Sequence, residues 1–399
     1  MLFSFNLYSS LLLPSFIHGI LFFLILFFRG KRDDRVADKL LAGIVLIFAL
    51  QVASWMLGFA GWYDSHDWHT TFMFYAPFNH WLLLGPLLYF YFLTVTNDSF
   101  KWQKKYWWHL LPEAIWLLRL LWLFTMDIVV DHWIGGNELP HFYNTHGEWR
   151  EIGWGFLDKI WQFAEPISII FYIMLTLRLF RQYQTYIVQN FSDTGSIHFK
   201  WLRNILIAMI IGYVVLLGFD IADLYSDEGL NYVEDWYSFF FLGILIYYLS
   251  ISGFAHGALD RPKLQLNFEP GKIVEEDVVD DKVSPELIAW KEKLEEVMAT
   301  EKLFLHSDLS LQQLASQLNI STGVLSKTIN VGFNKNFNEF INAFRVEEVK
   351  RKLGDPKNAH LTVLAVGMES GFSSKATFNR VFKKIEGISP SQYLSSIDN

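Results

Sequence analysis

The sequence contains no cysteine, which excludes disulfides, thiolate zinc sites and cysteine nucleophiles but leaves the cellular compartment open. It also lacks an HExxH pair, a phosphate-cradling glycine loop and a G-x-S-x-G elbow, so neither an enzyme activity nor a cofactor is expected. Charge is scarce as well: 19% of the residues are charged, against 52% hydrophobic and 18% aromatic, an apolar balance for an ordinary soluble protein. The net charge of -8 averages over unlike parts and argues neither for nor against a nucleic-acid partner.

The 399 residues suffice for two or three domains, and almost all of the apolar excess lies before about Ala255. Seven stretches, 8–28, 40–59, 72–94, 107–129, 157–179, 204–224 and 236–254, carry enough apolar residues for a bilayer-spanning helix. Such a helix is required because every backbone amide must be satisfied inside the segment. The first stretch has too long an apolar core for a signal peptide, no small-residue cleavage site after it, and positive charges that follow rather than precede it. It is read as a retained helix.

Lysines and arginines collect in one set of loops and flanks: Arg29, Lys31, Arg32, Arg35 and Lys39, then Lys101, Lys104 and Lys105, then Arg178, Arg181, Lys200 and Arg203. The alternate set holds only Arg150 and Lys159. That asymmetry predicts a multi-pass inner-membrane protein with its N-terminus outside and its tail in the cytoplasm. Trp62, Trp68, Trp133, Trp149, Trp154 and Trp236 fall near the predicted outer ends, as an interfacial belt against membrane lipids would require. The expected domains are a transmembrane region over 1–256, a linker over 257–284 and a soluble helical domain over 285–399. The linker's acidic run, 275–281, reads as solvated; the alternative is a shield over a basic surface.

From Ser284 the apolar spacing becomes that of short capped helices. In "SLQQLASQLNISTGVLSKTIN", Ser310 and Gln313 form a capping box and Leu311, Leu314 and Leu318 a buried face. Asn319 suits a left-handed turn and Ser321 caps the next helix. The layout returns 52 residues later, with Thr362, Val366, Gly371 and Ser373 in the places of Ser310, Leu314, Asn319 and Ser321. One extra residue then enters, so that Phe378 answers Leu325 and Arg380 answers Lys327. The pattern is a repeated helix-turn-helix. Between the copies, "NFNEFINAFRVEEVKRKL" reads as one helix with Asn336 and Glu339 in capping register and Phe337, Phe340, Ile341 and Phe344 on one face. Ser389 and Pro390 open a short closing helix.

The stretch from about 303 to 394 resembles the DNA-binding domain of the AraC family of bacterial transcription regulators. The likeness rests on "SGFSSKATFNRVFKKIEGISPSQYL", where Gly371, Phe372, Phe378, Arg380, Phe382, Lys383, Gly387 and Pro390 stand in order, and on "FRVEEVKRKL", similar to the family's linker helix. The segment "GPLLYFYFLTVTNDSFKWQKKYWWHLLP" resembles the amino-terminal half of membrane-bound members. Gly367 departs from the pattern, which usually has alanine there, as do Thr328 and Asn330 in the first unit.

The resemblance implies an all-α chain in which a seven-helix transmembrane bundle precedes two helix-turn-helix units joined by a linker helix. It puts Gly323, Ser326 and Lys327 at the reading positions of the first unit, and Lys375, Thr377, Asn379 and Arg380 at those of the second. The cap-region residues Ser321, Thr322, Ser373 and Ser374 and the basic Lys383 and Lys384 complete the expected DNA-binding set. From Ser321 to Lys384 eleven lysines and arginines oppose five acids, a local charge of +6 in an acidic chain.

Within the spans, His80, Asp127, Gln162, Glu165 and Asp220 fall in the predicted outer half, and polar groups at that depth usually face a cavity or a partner. They are the candidate site for an unidentified small-molecule or ionic signal, with interhelical hydrogen bonding as the structural alternative. His66, His69, His132, His141 and His146 lie in outer loops beside Asp64, Asp67 and Glu148, but their pattern assigns no metal site. The expected function is a one-component membrane regulator, paired as a homodimer, whose bundle controls binding of double-stranded operator DNA. Two alternatives stand beside it: a receptor or transporter-like bundle whose cytoplasmic domain docks a protein, and a bundle that serves only as an anchor.

Overall fold

A computed structural model describes residues 4–63, 67–97, 100–139, 155–194, 199–225, 232–257 and 284–397. Its regular elements are helical, and no strand occurs among the described residues. The chain divides into two compact units, Met1–Phe180 with Lys200–Asp260, and Arg181–Phe199 with Arg261–Asn399. The expected boundary after residue 256 thus misses one feature: the end of the helix before Phe199 groups with the carboxyl-terminal unit.

The apolar region contributes α1 (Leu7–Arg32), α2 (Val36–Leu57), α3 (Trp68–Tyr75), α4 (Trp81–Thr96), α5 (Leu111–Phe124), α6 (Gly155–Asn190), α7 (Phe199–Tyr225) and α8 (Tyr232–Gly257). Among the described residues, five helical segments are long and apolar enough to cross a membrane: Leu7–Arg32, Val36–Trp62, Phe163–Asn190, Lys200–Ala222 and Val233–Ala255. The other two expected spans are not single long helices. The stretch 72–94 breaks between α3 and α4, where Ala76 adopts ψ 136. The following Pro77 disfavours helical geometry at Ala76 and brings no N–H of its own. The stretch 107–129 begins in a 3-10 turn, Lys104–Leu110, becomes α5, and widens into a π turn, Thr125–Ile134.

Inside this unit α1, α2 and α8 pack closely. A Cβ on Gly19 would stand 2.8 Å from Ala49 Cβ, so the two small residues let the backbones of α1 and α2 approach. At the basic end Arg29 donates to both carboxylate oxygens of Asp38, at 2.8 and 2.9 Å, and to the Phe254 carbonyl at 3.0 Å, tying α1, α2 and α8 together. Trp236 is buried and its indole N–H donates to the Tyr8 carbonyl at 3.1 Å, so it serves packing rather than an interfacial belt.

The second unit contains α9 (Pro285–Glu301), α10 (Leu311–Gln317), α11 (Thr322–Lys327), α12 (Phe337–Leu353), α13 (Val363–Glu369), α14 (Lys375–Glu386) and α15 (Pro390–Ile397). Ser284, Ser310, Ser321, Asn336, Thr362 and Ser374 each cap the helix that follows by accepting from a backbone N–H of its first turn. There are two apolar cores, one per helix-turn-helix. The first gathers Leu311, Leu314, Leu325 and Ile329, the second Val366, Phe372, Phe378 and Phe382. Helix α12 supplies both, giving Phe337, Phe340 and Ile341 to one and Val346 and Val349 to the other. It therefore fixes the separation of the two units.

The turns match the repeat: Asn319 takes φ 54 and Gly371 φ 95. The expected cap at Ser373 is corrected. Ser374 is the cap, in extended geometry with its side chain accepting from Thr377 N–H, so the extra residue enters before α14 rather than inside it.

Candidate nucleic-acid interface

Helix α14 sorts its residues by face. Phe378, Val381 and Phe382 are buried, while Lys375, Asn379, Arg380 and Lys383 are exposed. Thr377 departs from the expected reading face: it is buried, and Ser374 Oγ donates to its hydroxyl at 3.0 Å. It belongs to the packed start of the helix. Lys384 is exposed, yet its ammonium stands 2.9 Å from Glu339 Oε1.

The first unit offers less. Helix α11 runs over Thr322–Lys327 and continues into a π turn, Thr328–Gly332. Ser321 is spent as its cap, Thr322 and Gly323 are exposed, and Ser326 and Lys327 are half-buried, with Ser326 Oγ accepting from Asn330 at 3.4 Å.

The charge count from the sequence overstates the basic surface. Arg345 is buried, and Lys350, Arg351 and Lys352 pair with Glu347 and Glu386, with Glu348 and with Glu369, respectively. Positive charge on the exposed face of α14 comes down to Lys375, Arg380 and Lys383. Arg345 was legible in one respect: it stands four residues after Ile341 and eight after Phe337, on the apolar stripe of α12. Burial pulls its guanidinium down to about 10, opposed by the negative charges of Asp193 and Asp308, so it is still cationic at neutral pH.

In the apolar unit, the break before α4 gathers part of the expected signal set. His80 Nδ1 lies 2.6 Å from Glu113 Oε1, and Asn79 donates to Glu165 Oε1 at 3.3 Å. Glu113 and Asp220 are close enough to act electrostatically on Glu165. Asp127 accepts from the Tyr75 hydroxyl at 2.5 Å, where Tyr75 packs with Leu123 and Ile128. The side chain of Gln162 lies outside the described residues. Asn79 and Glu113 were missed as partners because their meeting depends on the helix break, which hydropathy does not register.

Of the outer-loop histidines, His69 pairs with Asp67 at 2.9 Å and His132 lies 2.7 Å from the Asn137 carbonyl. His66, His141, His146, Asp64 and Glu148 lie outside the described residues, as does nearly all of the acidic linker. Among the described residues no group of three or more histidines and acids is placed to hold a metal ion.

Residues 314–396 match the family described as a helix-turn-helix domain. An uncharacterized HTH-type transcriptional regulator of Staphylococcus aureus is 32% identical over 102 residues, which is 26% of this chain and 13% of the relative. The Msm operon regulatory protein of Streptococcus mutans is 30% identical over 93 residues, 23% of this chain and 32% of the relative. The chain thus spans less than a third of the length of these curated relatives. No solved structure matches it.

Proposed function

We propose that the chain, whose carboxyl end matches a helix-turn-helix domain, is a membrane-embedded one-component transcription regulator of the AraC type. The observation that carries the reading is α14: a helix capped by Ser374, anchored by Phe378 and Phe382, that turns Lys375, Asn379, Arg380 and Lys383 outward. A second helix of that kind in a helix-turn-helix enters the major groove with its N-terminal residues at base edges, while basic neighbours contact phosphates. In α11 Ser321 is spent as the cap, Gly323 carries no side chain and Ser326 and Lys327 are half-buried, so this helix reads less sequence and contributes mainly position.

In this reading the five long apolar helices, together with α4 and α5, cross the inner membrane with the N-terminus outside and the tail in the cytoplasm, in agreement with the lysine and arginine bias. The polar cluster of Asn79, His80, Glu113 and Glu165 is the sensing site. Tyr213 supports it: its buried hydroxyl finds no acceptor or donor among the described residues. It lines an apolar cleft with Trp81, Gly85, Ile169 and Met209, and Asp220 and Glu165 act on it electrostatically. A small molecule with a cationic or hydroxyl group and an apolar body fits such a lining. It shifts DNA binding only by favouring one of two arrangements of the protein, a homodimer of this chain in this proposal.

Binding of full-length protein in lipid nanodiscs to duplex DNA tests the reading. Sequence-specific binding that weakens steeply with salt and with Arg380→Ala is the expected result. If no duplex is preferred, the carboxyl-terminal unit docks a protein instead. A reporter fused to the tail that proved periplasmic would overturn the topology. Glu165→Gln and His80→Ala should abolish signal-dependent transcription; an unchanged response would reduce the bundle to an anchor.

A further inference from the structure

Arg345 has 1% of its surface exposed, yet its five N–H groups meet five acceptors. Three belong to its own surroundings: the carbonyls of Phe304 and His306, each at 2.8 Å, and Asn342 Oδ1 at 3.3 Å. The remaining two come from Ser192, which offers its hydroxyl at 3.0 Å and its carbonyl at 3.3 Å. Ser192 lies just past the end of α6, far away in sequence, and is wholly buried.

The neighbours of Ser192 are held as firmly. Its N–H donates to the Leu309 carbonyl at 3.1 Å, and its carbonyl also accepts from Asn338 at 2.7 Å. Phe191 forms an antiparallel bridge with Ser310. Asp193, 6% exposed, accepts a hydrogen bond from the Ser373 hydroxyl. Residues 191–193 supply two of the five acceptors of this buried guanidinium, and without them those two N–H groups would be left to water. The socket of Asn338, Asn342 and Arg345 is therefore built to receive this segment.

We propose that residues 191–193 are a docking strap that holds the DNA-binding domain in a low-affinity state, with Asp193 occupying ground that a DNA phosphate would take. The proposal rests on the DNA-binding reading above. Ser373 directly precedes Ser374, the cap of α14, and the N-terminal end of a groove-entering helix draws phosphate. A carboxylate placed there repels phosphate and engages a hydroxyl otherwise available to it. Because the strap continues from α6, an apolar helix, movement of that helix reaches the DNA-binding end through residues 190–193 as well as through the linker.

The chain has no cysteine, so a single engineered pair is informative. In full-length protein in nanodiscs, Asp193→Cys with Ser373→Cys should form an intramolecular disulfide, and the oxidised form should bind duplex at least about tenfold more weakly than the same protein reduced. Asp193→Asn alone should bind about tenfold more tightly than wild type, since it removes only the charge. Failure to form the disulfide overturns the docking. Equal affinity in the two redox forms, or weaker binding by Asp193→Asn, overturns the restraint and leaves the strap as packing. If neither redox form binds any duplex, the DNA-binding reading fails, and disulfide yield still reports on the dock.

Discussion

The ring of Phe378 rests against the bare backbone of Gly367: a Cβ at Gly367 would stand 2.8 Å from Phe378 Cδ1 and 2.9 Å from Cε1. With the ring in this position, no room is left for the methyl that the family pattern usually has there. Gly367→Ala should destabilise the second core by about 1–2 kcal/mol, the overpacking exceeding the gain in helix propensity. Hydrogen exchange of the α13 and α14 amides measures it. Phe378→Leu in the same chain should recover part of the loss, and strictly additive effects would show that the two positions do not share the space.

Gly371 and Asn319 occupy equivalent turns under different constraints. At Gly371 φ is 95, and an added Cβ would collide with the Phe304 carbonyl, the oxygen that also accepts from Arg345 Nε. Asn319, at φ 54, lies in the left-handed region that asparagine tolerates. Gly371→Ala should therefore cost about 2–3 kcal/mol, combining backbone strain with displacement of a carbonyl that a buried charge needs. Asn319→Gly should leave stability within about 0.5 kcal/mol of wild type. Thermal unfolding of the full chain, followed by limited proteolysis within residues 303–397, separates the two.

The repeat, its caps other than the one before α14 and its two apolar faces were legible because each is a local pattern: a capping serine or threonine, a helical stripe, a residue that accepts positive φ. What sequence hid was pairing at a distance. The lysines and arginines between 321 and 384 were counted as one basic surface, yet Arg345 turns inward and Lys384 is neutralised by Glu339, 45 residues earlier. Asp193 and Ser192 carry no motif and become legible only through the socket that holds them. In the apolar half, hydropathy marked where helices are greasy, but the break at Pro77 and the contact of His80 with Glu113 follow from backbone geometry that a hydropathy window averages away.

Glu348 should give the second unit an acid-sensitive component. Its nearly buried carboxylate accepts from Arg351 at 2.7 and 2.9 Å and from Lys302 at 3.2 and 3.3 Å. The hydrogen bond from Arg351, helped by the Lys302 contact and opposed by burial, holds its pKa below the ordinary carboxylate value. A depressed folded-state pKa contributes stability that is fully present above the unfolded value, about 4.3, and is lost as pH falls through the folded one. Glu348→Gln should lower the unfolding temperature at pH 7, and the gap from wild type should close as pH falls below about 4. A gap independent of pH would assign the loss to packing.

The salt dependence of duplex binding should separate the exposed charges of α14 from the paired ones. Each lysine or arginine that neutralises a phosphate displaces about one counterion, so Lys375→Ala and Lys383→Ala should each reduce the slope of log K against log salt by about 1. Lys384→Ala removes a charge already met by Glu339 at 2.9 Å and should change the slope by less. Within the set, a residue at a base edge differs from one at a phosphate. If Arg380 reads a base, Arg380→Ala should relax sequence preference at one position, whereas Lys383→Ala, one turn further along the helix, should weaken all duplexes about equally. Equal slopes for the three lysine variants would mean that Glu339 releases Lys384 when DNA binds, and that pairing in the unbound protein does not predict which charges meet phosphate.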